Sequence, residues 1–197
     1  MLKMIWRRLK LSHSKNKALA IIIVLIMFGV TAMSIASNSG GYKEWEATIS
    51  IKETNGCHDY IVIGEKEDAS ELVDQYDVPK CPPPPPPHLY TFMYYEEMPY
   101  PYTNLWYDYR NLSIKTTKEF DLRIMCNVQE STEITISWNK HDFKNSGYKS
   151  ILLYDSEGNI LKDMRHEERY SFSSGEYSYN MFYIRMTPKT SDSYMEK

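Results

Sequence analysis

Apolar and polar residues alternate with a period of two through most of the chain after residue 44, which marks half-buried β-strands. Trp45, Ala47, Ile49 and Ile51 share one face, with Glu46, Thr48, Ser50 and Lys52 on the other. Asn55-Gly56 supplies a turn, and Asp59 to Gly64 (DYIVIG) reads as the second strand. The same alternation returns at Phe120, Leu122, Ile124, Cys126 and Val128, and again at Ile134, Ile136 and Trp138. Tyr148 to Tyr154 leads into Asp155-Ser156-Glu157-Gly158-Asn159 and out through Ile160 and Leu161, a hairpin turning at Gly158. Tyr170 and Phe172 begin a short strand, and Phe182, Ile184 and Met186 point inward from a last one. One helical turn is expected over residues 69–75.

About nine or ten strands with no long helical run predict an all-β fold, an antiparallel immunoglobulin-like or jelly-roll-like β-sandwich over residues 44–188. Residues 189–197 are expected to form a free tail. Six consecutive prolines, Pro82 to Pro87, predict a polyproline II rod of roughly 18 Å at about 3.1 Å per residue. It is expected to carry the chain from one sheet of the sandwich to the other.

The N-terminus follows a different pattern. Ala18 to Val30 is an unbroken apolar run behind Lys3, Arg7, Arg8, Lys10, Lys15 and Lys17, and small residues follow, ending in Ser34-Ile35-Ala36. This is the plan of a secretory signal, with cleavage expected after Ala36. The uncharged stretch 18–36 is also long enough, at about 1.5 Å per residue, to stay as a membrane anchor. Either way the basic flank stays inside, and the chain beyond linker 37–43 is sent to the cell surface or the extracellular space. Removing the basic leader leaves 17 basic against 26 acidic residues, a balance that speaks against nucleic acid as partner.

Export into an oxidising compartment makes Cys57 and Cys81 a candidate disulfide, worth roughly 3 kcal/mol in the chain-entropy model. Cys126 reads as a small apolar filler on an inward face. Cys57, His58, Cys81 and His88 are zinc-ligand types, but their spacing fits no short ligand pairing. Asp155, Glu157 and Asn159 resemble part of a calcium loop and are explained by the hairpin turn. No metal, cofactor or catalytic residue is therefore expected, and no nucleophile elbow, HExxH, CxxC or phosphate-cradling loop occurs in the sequence.

Binding chemistry is signalled by aromatic residues. Nine stand between Leu89 and Arg110, and Tyr100, Tyr102 and Trp106 are the candidate surface, because Pro99 and Pro101 hold them off regular strand geometry. Such rings suit core and edge packing, stacking on sugars, or an interface. Asn111-Leu112-Ser113 is a candidate glycan acceptor.

The order Tyr76 to Lys80, proline tract, aromatic strand, Ile134 to Trp138, Tyr148 to Gly158, Asp163 to Arg165, and Tyr170 to Phe172 resembles exported archaeal and bacterial surface proteins with immunoglobulin-like β-sandwich modules. The chain departs from them in placing Cys81 at the proline tract and in lacking a C-terminal sorting signal. The resemblance implies a surface or adhesion role with no reaction attached. The expectation is thus a non-enzymatic structural or protein-interaction module, or a carbohydrate-binding module, whose partners are cell-surface proteins or glycans.

Overall fold

The computed structural model describes residues 43–112 and 116–189. The expected signal or anchor segment, its cleavage site at Ala36 and most of the tail lie outside the described residues. The described part is all-β, as the alternation predicts. Its strands are β1 (Trp45–Glu53), β2 (His58–Lys66), β3 (Val78–Pro79), β4 (His88–Tyr94), β5 (Asn104–Asn111), β6 (Lys118–Asn127), β7 (Thr132–Ser137), β8 (Tyr148–Asp155), β9 (Ile160–Asp163), β10 (Arg169–Ser174) and β11 (Ser178–Pro188). They form one sheet in the order β10-β7-β1-β2-β5-β4-β6-β11-β8-β9, with β3 beside β5. The end strands β9 and β10 approach each other, so the sheet nearly closes on itself.

The alternating positions are the inward ones. Ala47, Ile49, Ile51, Phe120, Leu122, Ile124, Ile134, Ile136, Ile184 and Met186 are fully buried in one core, and Cys126 lies among them. Each buried Ile or Leu contributes about 1.5–3 kcal/mol relative to exposure. β2 departs from strict alternation because residues 67–77 cover its other side, where Val62 packs with Ala69 and Tyr109 in a second cluster. Gly64 sits at the tightest approach: a Cβ there would lie 2.4 Å from the Trp45 carbonyl oxygen and 2.9 Å from the Tyr109 ring.

A buried polar network crosses this core. Glu65 accepts hydrogen bonds from the Trp45 indole (2.7 Å) and the Tyr148 hydroxyl (2.6 Å), and Lys118 pairs with it at 3.0 Å. Burial, then the bond to Glu65, raises the Tyr148 hydroxyl far above the usual phenol value.

Three expectations are corrected. The sheet is mixed, because β2 and β5 pair in parallel from Val62↔Tyr107 to Lys66↔Asn111. Parallel neighbours need a long crossover, and residues 67–103 supply it. The proline tract does not pass between two sheets: β3 and β4 both pair with β5, β3 with Tyr107 and Leu105 and β4 with Leu105 and Asn104. Pro82 to Pro87 therefore makes an exposed excursion between two strands that both pair with β5, Pro79 and Met93 flanking Leu105 from its two sides, and the Pro86–Pro87 peptide is cis. Residues 69–75 form bends rather than a helical turn, because the Asp74 carboxylate takes the Ser70 and Tyr76 amides that a helix would use along its axis. The one helical turn among the described residues is instead a 3-10 turn, Asp142–Asn145.

Candidate functional site

The three aromatics singled out by the sequence do not form one platform. Tyr100 is 86% exposed on the loop joining β4 to β5, whereas Tyr102 is half-buried against the core. Trp106 is also half-buried, its ring 5.2 Å from both Tyr60 and Tyr107. The prolines do hold this loop off strand geometry, with Tyr100–Pro101 cis and the Tyr102 amide bonded to the Pro99 carbonyl.

The same segment instead builds a cleft of about 510 Å³ at the end of β4, between its loop, residues 71–72 and the neighbouring strands β6 and β11. Loop closure comes from the Tyr95 amide on the Thr103 carbonyl (2.9 Å) and the Thr103 hydroxyl on the Met98 carbonyl (3.2 Å). This sets Tyr94 and Tyr95 on one side, Glu96 and Glu97 at the rim, and Tyr183 opposite.

Two arginines line the cleft, and both are already paired. Arg123 holds Asp121 in a two-pronged pair, each contact 2.5 Å, and lies 4.8 Å from the Tyr94 ring centre. The bond to Asp121 keeps its guanidinium above the usual arginine value. Arg110 bonds Asp108 at 2.9 Å, stacks 4.9 Å from the Tyr95 ring and donates to the Tyr95 hydroxyl. The Tyr95 hydroxyl in turn donates to Asp108. Burial raises the Asp108 carboxyl, while Arg110 and Tyr95 pull it back down. Burial also raises the Tyr95 hydroxyl well above the usual phenol value, so it remains a donor. Held this way, the side chains present fixed rings and charge-paired polar edges rather than a free nucleophile. The rim adds Glu71, Glu96 and Glu97, so acids outnumber bases.

A second concavity, about 400 Å³, lies where Cys57 and Pro87 face Asn127 and Tyr177. Its buried acid, Glu53, is fully occupied by the Asn55 and Cys57 amides and the Thr132 hydroxyl. Burial would raise that carboxyl, but these bonds outweigh it and hold the group below the usual value.

Cys57 and Cys81 are not bonded in the structure: all three cysteines are free thiols, Cys57 half-buried, Cys81 exposed and Cys126 buried. The Cys57 thiol points toward the Pro87 carbonyl at 3.9 Å instead of toward Cys81. Among the described residues no three His, Cys, Asp or Glu side chains converge as metal ligands. The Asn111 side-chain nitrogen, which would carry a glycan, is tied to the Ala69 carbonyl at 2.9 Å and the Glu67 carbonyl at 3.3 Å.

The sequence reading missed Tyr94, Arg123 and Tyr183 as a group. Their signal was present only as an aromatic on β4 and an arginine on the polar face of β6, strands that the Phe92↔Arg123 register makes neighbours. Comparison with protein-family models, curated proteins and solved structures finds no match for this chain.

Proposed function

We propose that the chain is an exported, non-enzymatic surface module whose β-domain recognises a neutral glycan in the Tyr94–Tyr183 cleft. The observation that carries this reading is the joint presence of aromatic rings and a rigid Arg123–Asp121 pair in one open cleft. Sugar rings offer apolar faces that stack on tyrosine and hydroxyls that donate to carboxylates and accept from guanidinium. The acid-rich rim favours hydroxyl donors and opposes sialic or uronic acids. The curled all-β sheet is read as sandwich-type and immunoglobulin-like, in keeping with the surface proteins the sequence resembles.

A glycan array probed with the exported chain tests this. Binding to neutral glycans that is lost in Tyr94→Ala and kept in Tyr100→Ala is expected. Binding lost only in Tyr100→Ala would move the glycan site to the exposed loop, and no glycan binding at all would favour the second reading, a protein-interaction module displaying Tyr100 and Leu72, which are both exposed. N-terminal sequencing checks export: a start at Ser37 means release, and an intact Met1 in surface material means tethering. Full-length protein confined to the cytosol would contradict both.

A further inference from the structure

The arm from Val78 to Pro87 adds nothing to the buried core: Val78 and Cys81 to Pro87 are exposed, and Pro79 and Lys80 are half-buried. Besides the short β3 pairing, it is held where Lys80 and Cys81 meet the sheet. The Lys80 amide bonds the Asn104 carbonyl at 2.9 Å, and the Tyr90 hydroxyl bonds the Cys81 carbonyl at 2.8 Å. The third attachment is the Lys80 ammonium itself. It lies 2.7 Å from Asp59 Oδ1 and 3.1 Å from the Tyr60 carbonyl oxygen. Three rings surround it, with centres at 5.1 Å (Trp106), 5.7 Å (Tyr90) and 6.0 Å (Tyr60). The Lys80 side chain is 9% exposed.

The walls of this box do not belong to the arm. Tyr60 on β2, Tyr90 on β4 and Trp106 on β5 stand on the face of the sheet opposite the core residues Ile61, Leu89 and Leu105, and Asp59, next to Tyr60 on β2, brings its carboxylate to the ammonium. Asp59 is fixed independently, because its second oxygen accepts the Thr91 amide at 2.7 Å. Tyr60 and Trp106 support each other at 5.2 Å. Withdrawing Lys80 therefore leaves three aromatic faces and a carboxylate in place.

That is the chemistry that recognises alkylated ammonium groups, whose charge is spread over methyl groups and which lose little hydration on entering an aromatic box. A primary ammonium is more strongly hydrated and gains less from the same faces. Consistent with this, burial lowers the Lys80 pKa from the usual lysine value, against the pull of Asp59. Lys80 competes well only because it is tethered beside the site, which gives it a high effective concentration.

We propose that Tyr60, Tyr90, Trp106 and Asp59 form a binding site for alkylated ammonium groups, which Lys80 fills in cis as a removable plug. A ligand of this class that enters the box frees residues 78–87 from the sheet. The site is separate from the Tyr94–Tyr183 cleft and does not depend on glycan binding there.

The test uses the full chain and tetramethylammonium as probe, followed by calorimetry and by the Trp106 indole resonance. Lys80→Ala is expected to bind saturably, and the unsubstituted chain at least about tenfold more weakly because the plug competes. Adding Trp106→Ala to Lys80→Ala should abolish binding. Choline and a trimethyl-lysine peptide then distinguish a small solute from a polypeptide as the source of the group. A folded Lys80→Ala chain that fails to saturate by about 100 mM, or that binds no better than the unsubstituted chain, would overturn the proposal. Should Lys80→Ala not fold, the unsubstituted chain carrying 13C-dimethylated lysines still decides. Lys80 methyl signals moved upfield by the rings and returning toward the solvent-exposed position with tetramethylammonium support the plug. Signals indistinguishable from those of surface lysines, or indifferent to the probe, sink it.

Discussion

Lys118→Met would leave the Glu65 carboxylate in the core without its cation. Glu65 is fully buried and the Lys118 side chain is 3% exposed, so neither group has water to fall back on. In the native chain the ammonium also reaches Glu71 at 2.9 Å and the Asn111 carbonyl, tying the start of β6 to the end of β5 and to the loop after β2. After the substitution Glu65 keeps only the Trp45 and Tyr148 donors, both neutral. Removing one partner of such a pair costs about 3–5 kcal/mol, whereas an exposed pair contributes at most about 1 kcal/mol. For a chain of this size about 1 kcal/mol corresponds to roughly 2–4 °C in Tm, so a fall of about 6–20 °C is expected. Urea unfolding followed by circular dichroism, at constant slope, measures the free-energy loss directly. Glu65→Gln added to Lys118→Met should recover about 1–2 kcal/mol, since the stranded charge is gone while an oxygen remains for Trp45 or Tyr148. A Lys118→Met loss below about 1 kcal/mol, with no recovery in the double variant, would refute the reasoning.

Gly64→Ala should cost at least about 1–3 kcal/mol in the same unfolding assay, because its Cβ meets backbone at 2.4 Å and the strands must part; a neutral result would contradict the close β1–β2 approach. Asp77 is raised to about 6, first by burial, which outweighs the amide bonds from Tyr109 and Asp74 that lower it, with repulsion from Asp108 and Asp74 adding to the rise. A carboxyl raised on folding binds its proton more tightly in the folded chain. Its contribution to stability is thus full below about pH 4 and is lost as pH rises through about 6. Asp77→Asn should flatten that decline in pH-dependent urea unfolding, and an unchanged slope would count against the assignment. Thiol alkylation of the folded chain should modify Cys81 first, Cys57 more slowly because burial and then Glu53 raise its thiol, and Cys126 only after unfolding. Equal rates at all three would contradict the burial order.

The faces of individual strands were legible because alternation is a local signal. Ile134 and Ile136, or Phe182, Ile184 and Met186, need no knowledge of their neighbours to be placed inward. Hairpin partners were legible from their turns, β1 with β2 at Asn55-Gly56 and β8 with β9 at Gly158, but partners distant in the sequence were not. Nothing in Asp59 to Gly64 announces that its neighbour is a strand beyond residue 103, and a parallel pairing leaves no hairpin signature in the sequence. Val78-Pro79-Lys80 looked like punctuation before a proline rod, yet its lysine is the group on which three strands converge. The aromatic density of residues 89–110 marked a segment whose Tyr94 and Tyr95 line the cleft at the end of β4. Which rings would be displayed depended on the fold: Trp106 turned toward Tyr60 and Tyr107, while Tyr94 came to rest beside an arginine from β6.

The central functional claim is that ligand contact is made at the end of β4 and across β6 and β11, and amide chemical-shift mapping with a neutral oligosaccharide selected on the array tests it most directly. The account predicts saturable shifts concentrated at Tyr94, Tyr95, Arg123 and Tyr183. Shifts confined to Tyr100 and its loop, with the cleft residues unmoved at saturation, would contradict it.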